Sequence, residues 1–410
     1  MSLKYKIIND PVYGFIHMPD KVNAALVEHK WFQRLRHIRQ LGLAFYVYPG
    51  ALHTRFQHSI GAHYLTSLAI DVIRSKGMKI TEEEANAVST AILLHDIGHG
   101  PFSHALENIL VSDVSHESFS LLFMENLNKQ LKGELSLSIS IFKNEYPKQF
   151  LHQLVSSQLD MDRLDYLKRD SFFTGVSEGV IGSDRIIKML NVVNDNLVVE
   201  EKGIYSIEKF LMARRLMYWQ VYLHKTVLAT EQMLIHIFRR ARELCLGGKK
   251  LSGMPTLIDF LTNSYSIEDF RNNPVLLDKF SNLDDNDLLS VIKLWMDESD
   301  IVLSVLCKNF IYRKLLKIEM QNEPFNSKRI ETYKSKIAGL YNISETDAAY
   351  FVFADSAANH AYSAEDDRIN ILFKNGELKD ISDASDMLNL QVLSKNVTKY
   401  FFCYPEECRQ

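Results

Sequence analysis

The stretch LLHDIGHGPFSH, residues 93–104, sets His95, Asp96, His99 and His104 around two glycines and a proline at the end of an apolar run. Imidazole nitrogens and carboxylate oxygens bind divalent transition ions and carry protons near neutral pH. Seven of the 14 histidines fall between His53 and His116, a density odd for a helical core, where each buried imidazole needs a hydrogen-bond partner. Adjacent His95 and Asp96 can turn one imidazole and one carboxylate towards the same cleft. A third ligand, His58, from a helix over about 55–75, and a fourth, Asp162, from a helical segment over 150–170, would complete an N₂O₂ set drawn from three helices. Such a set suits one divalent ion (Mn, Fe, Ni or Zn, with Mg weaker) and leaves positions open for water and substrate. Asp162, Tyr166 and Arg169 or Asp170 recur at i, i+4 and i+7 or i+8, so they share one helix face. A surface helix laced with Asp–Arg pairs has the same pattern.

Those side chains need elements to hold them. Thr81 and Glu84 form a capping-box pattern, and Ala85, Val88, Ala91 and Ile92 make the apolar stripe of a helix leading to His95. Leu151, Leu154, Val155 and Leu159 give segment 150–170 a helical period, and a long helix is expected from Ile207 to Leu246, stopped at Gly247-Gly248. The first 20 residues suggest a hairpin around NDPVYG. Helical patterns resume after a connector at Leu251–Pro255. RINILFK, an Asn375-Gly376 turn signal and TKYFFCYP then suggest strands around a short helix near Asp386–Lys395. Gly98 and Gly100 turn the chain and would let backbone approach substrate. His53 and His63 read as positional or surface histidines, His152, His224 and His236 as structural ones, and Arg169 with Asp170 as a structural pair.

The bulk composition narrows the function classes. A formal net charge of −4 gives no general drive towards nucleic acid or anionic membrane, so a nucleic-acid partner is not expected. Cys245, Cys307, Cys403 and Cys408 form no CxxC and suit reduced thiols, and no run approaches a membrane span, so a cytoplasmic protein is expected.

The blocks around these residues carry a resemblance. TRFQHSIGAHYL (54–65), LLHDIGHGPFSHALE (93–107), SHESFS (115–120) and LDMDRLDYLKRD (159–170) come in the order and spacing of the HD superfamily of metal-dependent phosphohydrolases. YKIINDPVYGFI, WFQRLRHIRQLGLAFYVYPGALHTRFQHS and, more weakly, RRLMYWQVYLHK and LCKNFIYRKLLKIEMQNEP resemble the deoxynucleoside triphosphate triphosphohydrolase branch. Within it the likeness is greatest to the HD core of the animal sterile-alpha-motif/HD enzymes and their bacterial relatives. Beyond about residue 325 nothing is recognisable. The resemblance implies a mainly α fold: an HD-domain helical bundle with its N-terminal hairpin over 1–250. The residue patterns add a helical extension over 251–355 and a small α+β C-terminal lobe over 356–410.

Position by position, the resemblance implies metal ligands His58, His95, Asp96 and Asp162, the set already proposed from chemistry. It implies phosphate or substrate contacts at Arg55, Arg163 (a lysine in the family), Tyr166, Arg214 and Tyr222, with Gln40 and Leu41 beside the deoxyribose. His99, His104 and His116 match active-site histidines, and Glu107 an acidic residue that orients the His116 position. The implied reaction is water attack on the α-phosphate, releasing deoxynucleoside and inorganic triphosphate. A metal would polarise the phosphate and activate water, and His104 would protonate the departing 5′ oxygen. The resemblance also implies a homo-oligomer, dimer or tetramer, with a guanine-nucleotide activator at Lys6, Asn9, Gln33, Arg36 and, more loosely, Arg313. Here Glu28 replaces the family aspartate that reads guanine. Alternatives are an HD phosphohydrolase acting on a nucleoside monophosphate, cyclic dinucleotide or guanosine polyphosphate, or a non-catalytic nucleotide-binding module.

Overall fold

The computed structural model describes residues 6–18, 20–102, 105–106, 109, 111, 114–359, 368–386 and 397–409. The chain opens with a hairpin, β1 (Lys6–Asp10) and β2 (Gly14–Met18), paired antiparallel with Asp10 opposite Gly14. Asp10 Oδ1 accepts the N–H groups of Val12 and Tyr13 at 2.9 and 3.1 Å, which closes the turn. The helices that build the site follow. α1 (Arg55–Ser75) starts at Thr54, whose N–H donates to Gln57 at 2.9 Å. α2 (Glu82–Leu94) starts at the expected Thr81/Glu84 capping box. α3 (His116–Gln130) is capped by Ser115. α4 (Met161–Thr174) stops at Gly175, which has φ +75°.

Next come β3 (Leu190–Val193), β4 (Asn196–Glu200), α5 (Ile204–Met217) and α6 (Lys225–Leu246). Shorter helices lead to β5 (Lys317–Gln321), β6 (Phe353–Asn359), β7 (Asn370–Leu372), β8 (Leu378–Asp380) and β9 (Val397–Tyr404). The architecture is mainly α, as expected.

Two expected helices are broken. Segment 150–170 divides into Gln149–Gln153 and α4, because Asp160 accepts from Ser157 N at 2.9 Å and Arg163 N at 2.6 Å. A carboxylate holding backbone on both sides of itself ends one helix and caps the next. The 207–246 helix breaks after Met217 into a wide π turn, Tyr218–Tyr222, and α6 restarts where His224 Nδ1 accepts Thr226 N–H at 3.2 Å.

The C-terminal strands pair with earlier elements rather than with one another alone. β7 lies parallel to β4 in the sheet β3-β4-β7-β8, and β9 lies between β5 and β6. Where a small α+β lobe is expected from residue 356, its described strands complete sheets begun at residues 190 and 317. The short helix expected near Asp386–Lys395 falls almost wholly outside the described residues.

Two apolar cores lie side by side. One contains Trp31, Phe32, Phe123, Phe238, Phe260 and Trp295; the other contains Leu65, Ala69, Leu164, Leu167, Ile207 and Phe210. α2 serves both: Ala91 and Ile92 enter one, Leu93 and Leu94 the other. His95 therefore emerges at the seam.

Across that seam runs a buried ion chain. Arg169 donates to Asp165 Oδ2 and Oδ1 at 2.8 and 3.0 Å and to Asp10 Oδ2 at 2.7 Å, joining α4 to the hairpin. Gly61 leaves room for it, since a Cβ there would stand 2.0 Å from Asp165 Oδ1 and 2.2 Å from Arg169 Nη2. Gly61→Ala should cost about 3–5 kcal/mol, the scale for breaking a buried ion pair, read as a lowered thermal midpoint. Gly339→Ala, in an exposed helix with nothing within 4 Å of the added carbon, should instead stabilise by about 0.5–1 kcal/mol.

Candidate active site

The HD turn and two helices bring the expected donors together. His58 Nε2 stands 2.9 Å from Asp162 Oδ1, 3.3 Å from His95 Nε2 and 3.7 Å from Asp96 Oδ2. His95 Nε2 is 3.3 Å from Asp96 Oδ1 and 3.5 Å from Asp162 Oδ1. Each imidazole is oriented through its other nitrogen: His58 Nδ1 meets Asp165 Oδ2 at 2.8 Å, and His95 Nδ1 meets the Ile92 carbonyl at 2.6 Å. That leaves both Nε2 atoms for a metal ion, the usual arrangement behind histidine ligands. His58, His95 and Asp162 offer donor atoms within 4.8 Å of one another and could hold a divalent ion. Asp96 closes on the same point while accepting from Arg55 at 2.6 Å and lying 3.2 Å from His99 Nε2.

The electrostatics follow from this crowding. Burial opposes charge on His58, but the hydrogen bonds its imidazolium donates to Asp162 and Asp165 outweigh it and lift its pKa to about 10. Asp162 is half-buried, which opposes its charge, yet its two imidazole partners hold it far below the usual carboxylate range. His99 goes the other way: burial, then the Arg55 charge, push its pKa well below 6.5, so it is neutral at pH 7. Its ring stacks on His116 at 4.0 Å between centroids.

Beside the cluster opens a cleft of about 470 Å³. Its walls include Gln40, Leu41, Arg55, Asp96, His99, His116, Asp162, Arg163, Tyr166, Arg214 and Tyr222, so most of the expected substrate and catalytic residues converge. His58 and His95, which could hold a metal ion together with Asp162, adjoin it through Asp96 and Asp162. His104 and Glu107 lie outside the described residues. Arg214 donates to Gln158 at 2.8 Å and Arg163 pairs with Asp160. The buried Nε atoms of both arginines, and Gln40 Oε1, have no partner among the described residues.

Gly98 serves a purpose other than the expected approach of backbone to substrate. A Cβ there would lie 2.2 Å from Ser120 N and 2.4 Å from the His116 carbonyl, so it is α3 that packs against the turn. Asp285 fastens the same region by accepting Arg39 N–H at 2.9 Å and Phe102 N–H at 2.8 Å, which ties the loop before Gln40 to the loop after the HD turn.

Other histidines and charges find places that their spacing did not reveal. His53, expected as positional or surface, is buried, stacks on Phe173 and meets Asp170 Oδ1 at 2.7 Å. His63 is also buried, against the Ser89 carbonyl. Asp170 does not pair with Arg169; it lines the cleft and accepts from Tyr222 at 2.7 Å. His152, His224 and His236 are structural, each engaged with backbone. Asp165 and Glu231 are the site residues that sequence reasoning missed; Asp170 was placed on the Asp162 face but paired with the wrong residue. Asp165 sits three positions after Asp162, a spacing that would have put it on the same helix face.

The residues implied for a regulatory nucleotide lie away from the cleft walls. Lys6 pairs with Glu28, while Gln33 donates to the Val27 carbonyl at 2.6 Å and accepts from Arg36 at 2.8 Å. Asn9 is exposed on β1, and Arg313 donates to the Tyr46 carbonyl at 3.0 Å. No helix among the described residues is long and apolar enough to cross a membrane.

A helical bundle that sets a His/Asp group able to hold a metal ion beside an arginine-bearing cleft is what a phosphohydrolase of the HD kind needs. Comparison with known proteins agrees. The HD domain family matches residues 55–169, and the HD associated region matches 181–254. The uncharacterized protein YwfO of Bacillus subtilis is 32% identical over 98% of this chain and 92% of its own. The crystal structure of a phosphohydrolase from Bacteroides thetaiotaomicron superposes with a TM-score of 0.95 at 55% identity, covering 98% of this chain and 100% of that one. The deoxynucleoside triphosphate triphosphohydrolase SAMHD1 homolog of Dictyostelium discoideum is 32% identical over 58% of this chain, which spans 49% of that protein. The chain belongs to the HD-domain phosphohydrolases and is a hydrolase of that family.

With the His58 pKa lifted to about 10 by its carboxylate neighbours, a metal binding at Nε2 would have to displace a proton. Apparent Mn²⁺ affinity should therefore rise between pH 6 and 9, by up to about tenfold per unit for one proton released. Isothermal titration in buffers of different ionisation heat would count that proton. In Asp162→Asn one partner holding the His58 proton is lost, and so is one ligand, so affinity falls and its pH slope flattens.

Proposed function

We propose that this enzyme hydrolyses deoxynucleoside triphosphates to deoxynucleoside and inorganic triphosphate. The reading rests on one observation: a single cleft joins the His58/His95/Asp96/Asp162 cluster to Arg55, Arg163 and Arg214 and to the hydroxyl-binding groups Gln40, Asp170 and Tyr222. The likeness to a Dictyostelium protein named as a dNTP triphosphohydrolase supports it.

His58, His95, Asp96 and Asp162 would hold one divalent ion. When bound, it supplies Lewis acidity at the α-phosphate and lowers the pKa of water. The three arginines neutralise the triphosphate, which would otherwise repel a nucleophile, and the buried Nε–H groups of Arg163 and Arg214 are donors in want of an acceptor. Water oxygen bonds to the α-phosphorus as the bond to the 5′ oxygen breaks. His104 gives its proton to that departing oxygen, with His116 and Glu107 as a second acid–base pair. His99, kept neutral by burial and Arg55, donates a hydrogen bond to Asp96 or phosphate rather than a proton. Gln40 and Leu41 flank the sugar, Tyr166 packs near it, and Asp170 is held by His53 and Tyr222 to receive its hydroxyl.

Assembly into a dimer or tetramer, and activation by a guanine nucleotide at Lys6, Asn9, Gln33, Arg36 and Arg313, belong to the same proposal. Such a ligand would have to displace Glu28 from Lys6.

Chromatography of each dNTP with the enzyme and Mn²⁺, Mg²⁺, Fe²⁺ or Zn²⁺, with and without GTP, tests the reading. Deoxynucleoside and tripolyphosphate should appear in equal amounts. Asp96→Asn should lower kcat/KM by at least about 10²-fold, the scale of losing metal-borne charge stabilisation. Release of monophosphate with pyrophosphate, or of phosphate stepwise, would refute it in favour of another nucleotide-directed HD reaction.

A further inference from the structure

We propose that Glu231 reads the nucleobase and favours amino-bearing bases, guanine above all, over thymine. The inference rests on the dNTP reading and assigns the part of the cleft that the phosphate and sugar groups leave over. Arg55, Arg163 and Arg214 account for the polyanion. The lining from residues 42–44 and 221–231 is mostly apolar: Gly42, Ala44, Val221, Leu223 and Val227. Val227 packs on Ala44 and Ala51, which makes that wall firm. A flat, largely apolar ring is the piece of a nucleotide that such a wall suits.

Glu231 is the carboxyl on that wall, one helical turn after Val227 on α6. A glutamate on a helix ordinarily pairs with a cation three or four residues away. The residues at those positions here, Val227, Leu228, Leu234 and Ile235, are all aliphatic. Among the described residues no hydrogen bond and no charged group is set against the Glu231 carboxyl, and burial alone pushes its pKa up to about 7. An acceptor pair facing a cavity without a protein donor is costly unless the ligand brings the donors. The phosphates cannot, being anionic. Guanine can, because its N1–H and its amine lie side by side and match the two carboxylate oxygens; adenine and cytosine offer an amine, and thymine only a single ring N–H.

The test measures kcat/KM for dGTP, dATP, dCTP and dTTP with Mn²⁺ at pH 8 in the wild type, Glu231→Gln and Glu231→Met. The wild type should prefer dGTP to dTTP. Both variants should lower that ratio about tenfold, the scale of one hydrogen bond to a charged group. Glu231→Met keeps the length without an acceptor and serves if the amide variant fails to fold. Equal loss for all four substrates, or unchanged ratios, would overturn the base assignment while leaving the reaction standing. If the wild type cleaves no dNTP at all, the proposed reaction itself has failed.

Discussion

The arrangement depends on one buried relay of charge, Asp10 to Arg169 to Asp165 to His58, closed to solvent along its length. Asp165 stands between Arg169 and His58, and Asp10 faces Arg169 and two backbone N–H groups, so neither is left as an isolated ion in a low-dielectric interior. Asp165 fixes the His58 ring by its Nδ1, which is what aims Nε2 at the cluster. Arg169 fixes Asp165, and Asp10 brings in the hairpin from the start of the chain. Position at the metal cluster is thus set by groups on three separate elements, and the hairpin is part of the site's support.

The seam between the two cores supplies the second requirement. Polar donors can converge at depth only where apolar packing is interrupted, and α2 interrupts it by sending successive residues into different cores before ending at His95. α1 does likewise, giving Phe56 and Ile60 to one core and Leu65 and Ala69 to the other, with His58 between. The wide π turn before α6 carries Tyr218 and Tyr222, both of which line the cleft.

Much of this was legible in the residues. The four donors, the capping box before α2 and the glycine stops announce themselves through local chemistry and fixed spacing. The helix breaks at Asp160 and His224 were hidden because apolar period continues across them; a side chain bonded to nearby backbone overrode it. For His53 and His63 the residues left positional and surface roles open, because burial is a tertiary property, and Asp170's partners lie 117 and 52 residues away. Glu231 stayed unseen for a related reason. Lone carboxylates on helices are common, and only the cavity beside it makes this one unusual.

The place of β9 has a bearing on how the molecule comes into being. The last long strand is the middle one of its sheet, pairing with β5 and β6. During synthesis those two edges emerge well before their shared neighbour, and they cannot be joined until Val397–Tyr404 has followed. The metal-cluster helices all lie within the first 174 residues and can assemble through nearer contacts, which close at lower entropic cost. The enzyme's order of assembly therefore runs from chemistry to closure, and a ribosome-bound chain stalled short of Val397 would leave two strand edges open to pairing with other chains.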